Sequence, residues 1–418
     1  MIIESICPIE KCTGCGACFE VCAHSAINMI PDAEGFLRPI IDSKLCVGCG
    51  LCQVTCPVNT PFTGKMNKPL KVYSGWSLDE DIRINSSSGG AFTEIAKLTL
   101  QKGGVVFGVA MDENVCARHI YVEDIKDLCR LRGSKYVQSV IGDSYKQAKK
   151  FLLQGREVLF SGTPCQIAGF RNFLRKDYDN LITIDLICHG VPSPKVFNDY
   201  KTYIESIINE KVTDVKFRCK KSSWIFFNMG INPHVEKNGN INYSYIGNYY
   251  ADPYIRVFLR DNILRPNCYQ CLYASIERVG DFTIADWWGY KSVSDKDKDF
   301  DKKGVSLLMC NTNKAVSMVN CLDMDLRERT IEEALNTNSS LKCSFPMPAT
   351  RTAFWNDYTK MDFNKMVKKW MFPETLLLSK YLRIYYKQYH LLYHIVRFYE
   401  RIINKIKVQK LLIKVYAK

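Results

Sequence analysis

The tightest constraint on this chain is a duplicated run of cysteines near its amino end. Cys12, Cys15, Cys18 and Cys22 follow the pattern C-x2-C-x2-C-x3-C. Cys46, Cys49, Cys52 and Cys56 repeat it 34 positions later, and Pro57 follows the last. Three thiolates on a tight loop grip three irons of one 4Fe–4S cubane, while the fourth of each run reaches the other cubane. The spacing therefore predicts crossed ligation. Cys12, Cys15, Cys18 and Cys56 take one cluster; Cys46, Cys49, Cys52 and Cys22 take the second. Gly14, Gly16, Gly48 and Gly50 stand between the ligands, where the backbone must wrap closely and turn its N–H groups to sulfur. Zinc is the alternative, but it pairs two C-x2-C units on each ion, which two complete four-cysteine runs do not resemble. Cys7 lies outside the pattern and reads as a bystander.

Around these runs, Ala26–Ile30 and Phe36–Ile40 read as two short strands joined by an Asp-Ala-Glu-Gly turn. Residues 1–62 thus form a small ferredoxin-type domain. They carry three basic and six acidic residues, an acidic face open to a redox partner protein. Nine of the nineteen cysteines fall between Cys7 and Cys56. Such clustering in a long chain points to metal ligation in a reducing compartment rather than to disulfides. Met1 to Lys11 lacks the basic start and apolar core of a signal peptide, and charges interrupt every long apolar run. The expected location is the cytoplasm.

After a linker from Pro61 to Pro69, the pattern changes to alternating strands and helices. A strand over Lys71–Trp76 leads to Ser87-Ser88-Gly89-Gly90 and a helix over Ala91–Gln101, followed by a strand over Val105–Ala110. Small residues at a helix start expose N–H groups to an anion such as a flavin pyrophosphate; they also serve as a plain N-cap. Further on, the strand Glu157–Ser161 meets Gly162-Thr163-Pro164-Cys165-Gln166, a helix runs to about Lys176, and the strand Leu181–Ile187 meets Cys188-His189-Gly190. A strand–helix–strand unit of this kind makes adjacent parallel strands. Cys165 and Cys188 then sit at the ligand-binding edge of an open sheet. Asp252-Pro253 starts another helix, Cys268 and Cys271 form a C-x2-C pair, and a strand over Asp281–Ala285 ends at Asp286-Trp287-Trp288-Gly289. Four thiols able to meet at one edge would make a third 4Fe–4S cluster; buried thiols and half a zinc site are the alternatives. His189 reads as a hydrogen-bonded loop residue or a proton carrier. Cys116, Cys129, Cys310, Cys321 and Cys343 read as core, and Cys219 is open.

Taken in order, Ser87-Ser88-Gly89-Gly90, Lys135-Tyr136-Val137-Gln138-Ser139, Gly162-Thr163-Pro164-Cys165-Gln166, Asp185 to Ser193, Cys268-x2-Cys271 and Asp286-Trp287-Trp288-Gly289 carry a resemblance. Over roughly residues 1–345 the chain resembles the family of the coenzyme F420 hydrogenase/dehydrogenase beta subunit. The resemblance implies an FAD-containing iron–sulfur oxidoreductase. Ser87, Ser88, Gly89, Gly90, Lys135, Tyr136, Gln138 and Ser139 would line the flavin site, and Cys165, Cys188, Cys268 and Cys271 would hold the third cluster. Members exchange hydride with the deazaflavin coenzyme or with an organic substrate; bacterial relatives accompany polysaccharide synthesis, which points to a glycan precursor. A non-catalytic electron-transfer subunit is a further reading. Redox partners would be a ferredoxin or a dehydrogenase or hydrogenase subunit. Cys219 stands where an acidic residue is usual in this family. The implied fold is α/β (α+β overall): the ferredoxin-like domain, a mixed α/β flavoprotein domain in two parts (70–160 and 161–345), and a helical tail (346–418).

The tail is the basic part of the chain. The whole carries 57 Lys and Arg against 43 Asp and Glu, and residues 376–418 hold ten basic residues and one acid. Leu382, Tyr385, Tyr389, Leu392, Val396, Tyr399, Ile403 and Ile406 make one helical stripe, with basic residues nearly opposite. Such a helix suits an anionic membrane surface at the inner face, or packing against the body. No basic stripe with interleaved aromatics runs along the body, so nucleic acid is not an expected partner.

Overall fold

The structure is a computed structural model that describes residues 3–62, 66–221, 223–236, 241–290 and 300–371. At the amino end, β1 (Ile27–Pro31) and β2 (Leu37–Ile41) pair antiparallel, each one residue later than the periodicity predicts. The Asp32 carboxylate draws the turn together by accepting from the N–H groups of Glu34 and Phe36. Helices α1 (Ala17–Val21) and α2 (Leu51–Thr55) each begin at a left-handed glycine, Gly16 with φ 76° and Gly50 with φ 73°.

The centre is an eight-stranded mixed sheet. Its strands are β3 (Lys71–Ser77), β4 (Val105–Met111), β5 (Ala117–Val122), β6 (Val158–Gly162), β7 (Leu181–Leu186), β11 (Phe282–Asp286), β12 (Ser306–Cys310) and β13 (Met324–Arg329), in the order β13-β3-β12-β11-β7-β6-β4-β5. The run β11-β7-β6-β4 is parallel and the flanks are antiparallel. The expected strand–helix–strand unit is present, with α6 (Pro164–Leu174) joining β6 to β7. β6 is buried along its whole length, as a central parallel strand covered on both faces must be. Before it come α3 (Glu80–Asn85), α4 (Ala91–Gln101) and α5 (Ser144–Leu153); the predicted limits of α4 are those observed.

The two faces of the sheet follow from alternation along each strand. Val106 of β4 packs with Ile95, Ala96 and Leu100 of α4 on one side. Val105 and Phe107 face the other way, against Tyr145 and Ala148 of α5 and Ile167 and Phe170 of α6. Cys15, Ala17 and Phe62 of the amino-terminal segment join this second layer, so the ferredoxin-type segment is welded to the α5–α6 face. A second sheet, β10-β9-β8, is built from β8 (Val215–Cys219), β9 (Asn228–Val235) and β10 (Ile241–Asn248). It follows α7 (Pro194–Ile208) and precedes α8 (Pro253–Phe258), whose N-cap Asp252 accepts from the Ile255 N–H as expected.

Residues Met1–Met366 form one compact unit, which includes the helix Arg351–Tyr358. Val367–Lys418 is a second unit, described only over the turn Val367–Met371. The amphipathic stripe of the tail lies outside the described residues. Among the described residues no helix is long and apolar enough to cross a membrane. The singly placed cysteines are less uniformly core than expected. Cys310 is buried, Cys116 is half-buried, and Cys129, Cys321 and Cys343 are exposed, because each of these three sits at an element end or in a loop.

Candidate functional site

Three sets of thiols lie in and beside the amino-terminal segment. Cys12, Cys15, Cys18 and Cys56 line one cavity, walled by Gly14, Gly16, Met29 and Pro57. Cys22, Cys46, Cys49 and Cys52 line another, with Ile27, Ile41, Gly48 and Gly50 around it. Each cavity thus takes three thiols from one run and one from the other, the grouping that the crossed pattern anticipates. The first is enclosed: Cys12, Cys15, Cys18 and Cys56 are buried. The second opens at Cys49, which is exposed, between Val47 and Val54, which are exposed too.

Cys7 is no bystander. It lines the first cavity and its thiol hydrogen-bonds to Cys12 and Cys56. Those bonds hold the Cys7 thiol well above its ordinary range and pull the Cys12 and Cys56 thiols below theirs.

The third set gathers from distant parts of the chain. Cys165 opens α6, Cys188 follows β7, and Cys268 and Cys271 flank the 3-10 turn Pro266–Gln270. Burial raises the Cys188 thiol well above its ordinary value, and the neighbouring Cys268, Cys165 and Cys271 raise it further. Burial likewise lifts Cys165 to about 12, with Cys271 and Cys268 adding to it, and Cys268 to about 11. Polar donors face the sulfurs: Thr163 Oγ1 lies 3.2 Å from Cys165 Sγ, and the Val191 N–H donates to Cys268 Sγ over 3.3 Å. The Tyr273 and Ala274 N–H groups face Cys271. Such N–H···S contacts orient and stabilise thiolate ligands.

A buried ion pair and a buried tyrosine hydroxyl hold this set. The Arg278 guanidinium donates to Asp185 Oδ1 from Nη2 at 2.7 Å and Nε at 3.1 Å, both residues being almost wholly buried. Arg278 also donates to the carbonyls of Leu186, Tyr273 and Ser275, which ties the segment after Cys271 to the strand end before Cys188. Tyr145, fully buried in α5, donates from its hydroxyl toward the carbonyls of Cys15 and Gln166 at 2.8 and 2.9 Å. It thereby joins the first set to the helix that carries Cys165. Gly169 lies under Cys15; a Cβ there would stand 2.8 Å from Cys15 Sγ. Cys165 is near enough to Cys15 to add to the rise of its thiol.

Arg265 went unnoticed in the sequence. It has no exposure, and its guanidinium donates to Cys12 O (2.7 Å), Leu37 O (2.9 Å), Gln138 Oε1 (3.2 Å) and Cys12 Sγ (3.4 Å). Among the described residues no carboxylate is paired with it. A buried cation so placed requires an anion beside it, which is the condition that thiolates and an anionic cluster in the first cavity meet. Its signal in the sequence was an arginine three residues before a C-x2-C pair.

The eight residues expected around a flavin divide into two groups. Ser87 to Gly90 run into α4, whose N-cap is Gly90 at φ 102° with no side-chain cap. Ser87 Oγ accepts from the Ser134 N–H, Ser88 Oγ donates to Val305 O, and the Gly89 N–H donates to Ser306 Oγ. Lys135 Nζ donates to the carbonyls of Arg130, Leu131 and Arg132, and burial lowers it to about 7. Gln138 and Ser139 face the other way. Gln138 Oε1 accepts from Arg265 and from the Leu37 N–H, while Ser139 Oγ accepts from Gln166. Tyr136 packs between Phe217 and Phe258, with its hydroxyl 3.4 Å from Arg218. Arg218 is itself held by Asp286 in two bonds of 2.6 and 3.0 Å, beside Trp224 Nε1 on the same carboxylate. His189 is hydrogen-bonded to Asp261 Oδ1 at 2.6 Å and packed on Phe258 and Phe345. Cys219 is buried at the end of β8 against Tyr243.

The family models for the coenzyme F420 hydrogenase/dehydrogenase beta subunit match this chain over residues 72–143 (N-terminal part) and 155–333 (C-terminal part). This chain belongs to that family. A 4Fe–4S dicluster domain matches residues 11–60, which makes the amino-terminal segment an iron–sulfur domain. One subunit of the F420H2 dehydrogenase of Methanosarcina mazei is 26% identical over 228 residues, 50% of this chain and 63% of the relative. The coenzyme F420-dependent sulfite reductase of Methanocaldococcus jannaschii is 27% identical over 183 residues, 43% of this chain and 28% of the relative. The chain thus spans less than two thirds of either. Among solved structures, a chain of the F420-reducing [NiFe] hydrogenase complex of Methanosarcina barkeri matches 71% of this chain and 94% of its own length, at 15% identity and a TM-score of 0.42.

Proposed function

We propose that this chain is an iron–sulfur oxidoreductase subunit that carries electrons between an external protein and a hydride-exchanging site. Cys12, Cys15, Cys18 and Cys56 would hold one 4Fe–4S cluster; Cys22, Cys46, Cys49 and Cys52 a second; Cys165, Cys188, Cys268 and Cys271 a third. Clusters so held supply single-electron exchange. The observation that carries the proposal is the third set: four thiols spread over more than a hundred positions of sequence converge beside Cys15 of the first set. The exposed Cys49 end supports electron entry or exit there, and the acidic amino-terminal segment supports a redox partner such as a ferredoxin or a dehydrogenase or hydrogenase subunit. Among the described residues no three His, Cys, Asp or Glu side chains are close enough to hold one metal ion.

The finer parts of the proposal concern the two-electron partner. FAD at Ser87 to Gly90 would supply the change from single electrons to hydride. The side chains of Ser87, Ser88, Lys135, Gln138 and Ser139 and the Gly89 N–H already have partners within the chain, so recognition there would fall to the remaining backbone N–H groups of residues 87–91. A deazaflavin of the F420 type as the hydride partner is supported by the activities of both relatives. The glycan-precursor reading draws no support from them. Contact of the basic tail with an anionic membrane rests on its sequence; flotation with liposomes, with and without residues 376–418, tests it, and equal flotation removes it.

Anaerobic purification with iron, sulfide and flavin quantitation tests the whole. About twelve irons per chain are expected, falling to about eight in a Cys271→Ser variant. About eight in the unaltered protein would remove the third cluster, and absence of flavin after reconstitution would remove FAD.

A further inference from the structure

The two halves of the cysteine repeat are equivalent in sequence but not in surroundings. Cys46 stands 34 positions after Cys12 and is its counterpart. Backbone N–H groups of Ile3 and Gly48 serve Cys46 and lower its thiol. Cys12 has the Gly14 N–H in the same way, and in addition meets the Arg265 guanidinium, which bonds both its carbonyl and its sulfur. Arg265 comes from the other side of the fold, where its own N–H donates to Val191 O and its carbonyl accepts from the Cys268 N–H. It thus stands between the first thiol set and the third.

The glycines of the repeat record the same asymmetry. Gly14, the residue between Cys12 and Cys15 that Arg265 packs against, has φ +70°; a Cβ there would lie 2.4 Å from Gln138 Nε2 and 2.7 Å from Arg265 Nη1. Gly16 and its counterpart Gly50 differ likewise: a Cβ at Gly16 would lie 3.3 Å from Ile141 Cβ, and one at Gly50 would meet nothing within 4 Å. A second arginine, Arg38, also donates to Cys12 O, but Asp32 balances its charge at 2.8 Å. Among the described residues the Arg265 charge has no such carboxylate.

We propose, resting on the cluster assignment above, that Arg265 is a positioning residue that raises the reduction potential of the centre held by Cys12, Cys15, Cys18 and Cys56 relative to that held by the Cys46 set. Each electron added to a thiolate-ligated cubane makes it one unit more negative. A fixed cation in a water-poor site favours that reduced, more anionic form, and its N–H···S bond drains charge from the ligand sulfur. Arg265 thereby biases an electron arriving from the exposed Cys49 end toward the interior, where the third set waits. The electron leaves the outer centre and is gained by the inner one, with no proton or co-reactant required.

The experiment is an anaerobic redox titration of the full-length holoprotein, followed by the electron paramagnetic resonance of the reduced clusters. Unaltered protein is compared with Arg265→Met, which loses the charge, and Arg265→Lys, which keeps it. In Arg265→Met one signal is expected to become at least tenfold harder to reduce, a downward shift of about 59 mV or more for one electron. Arg265→Lys recovers at least half of that shift, and the signal of the outer cluster stays in place. If Arg265→Met fails to assemble, Arg265→Gln, polar and neutral, carries the same expectation. Retained iron with no potential moved, or a lysine variant shifted as far as the neutral ones, overturns the role of Arg265 alone. Unaltered protein without iron overturns the cluster assignment on which it rests.

Discussion

Replacing Arg278 by methionine would leave the Asp185 carboxylate buried without its cation. The geometry sets the scale. Asp185 has no exposure and Arg278 about 1%. After the change, Oδ1 keeps only Thr283 Oγ1 at 2.7 Å, and Oδ2 keeps the N–H groups of Val279 and Gly280 at 3.1 and 2.9 Å. Breaking a buried pair from one side costs about 3–5 kcal/mol; three surviving donors put this case near the lower figure, a factor of roughly a hundred in the folding equilibrium. Removing both charges with Arg278→Met and Asp185→Asn should cost clearly less than the sum of the two single changes, with a coupling of about 2 kcal/mol or more. Urea unfolding of the four proteins, followed by tryptophan fluorescence, measures this cycle. Because Arg278 also ties the turn after Cys271 to the end of β7, the single variant should lose the iron of the third set, about four of about twelve atoms, while the first two sets stay loaded. Additive single changes, within about 0.5 kcal/mol, or a full iron content, would refute the assignment of Arg278 as the strut of this site.

Gly14→Ala should lose the iron of the first set, since the methyl group must displace Gln138 and Arg265 at φ +70°, whereas Gly50→Ala, with open space around it, should cost only the left-handed penalty of about 1–2 kcal/mol and stay loaded; iron analysis of both variants decides. Phe170→Ala, in the layer that seats Cys15, should cost about 3–5 kcal/mol by urea midpoint. Burial lowers His119 to about 4, below its unfolded value of about 6.5, so His119 stabilises the fold above pH 6.5 and that contribution is lost as pH falls through 4. The loss reaches about 3 kcal/mol, and the pH slope between 6.5 and 4 should flatten in His119→Gln, read by urea midpoints at several pH values.

Much of the local structure was legible in the chain. Helix α4 has the limits its Ser-Gly start and Gly-Gly end predict, and Asp252-Pro253 caps α8 as its residue types require. The pairing of β6 with β7 followed from the short crossover between them. What escaped was long-range. Lys135 to Ser139 is one continuous run, yet Lys135 turns to the carbonyls at residues 130–132 while Gln138 turns to Leu37 and Arg265. Nothing in five adjacent residues announces that division, because it depends on which neighbours the folded sheet delivers. Cys7, outside the repeat, was equally unreadable until the chain brought it against Cys12 and Cys56.

The sequence by itself determined the two thiol sets of the repeat, because a cubane's grip on a short loop is a local matter of residues three or four apart. It also determined seven of the strands and the helices α4, α6 and α8, since alternation and caps are written in neighbouring residues, but not β5, β8 to β10, β12 or β13. Only the tertiary structure decided that Cys188 and Cys268 share one edge, that Arg278 braces it, and that Arg265 reaches across to Cys12. Contacts between residues as far as 250 positions apart are decided by how buried charge and apolar surface are satisfied together, and that accounting closes only in the folded chain.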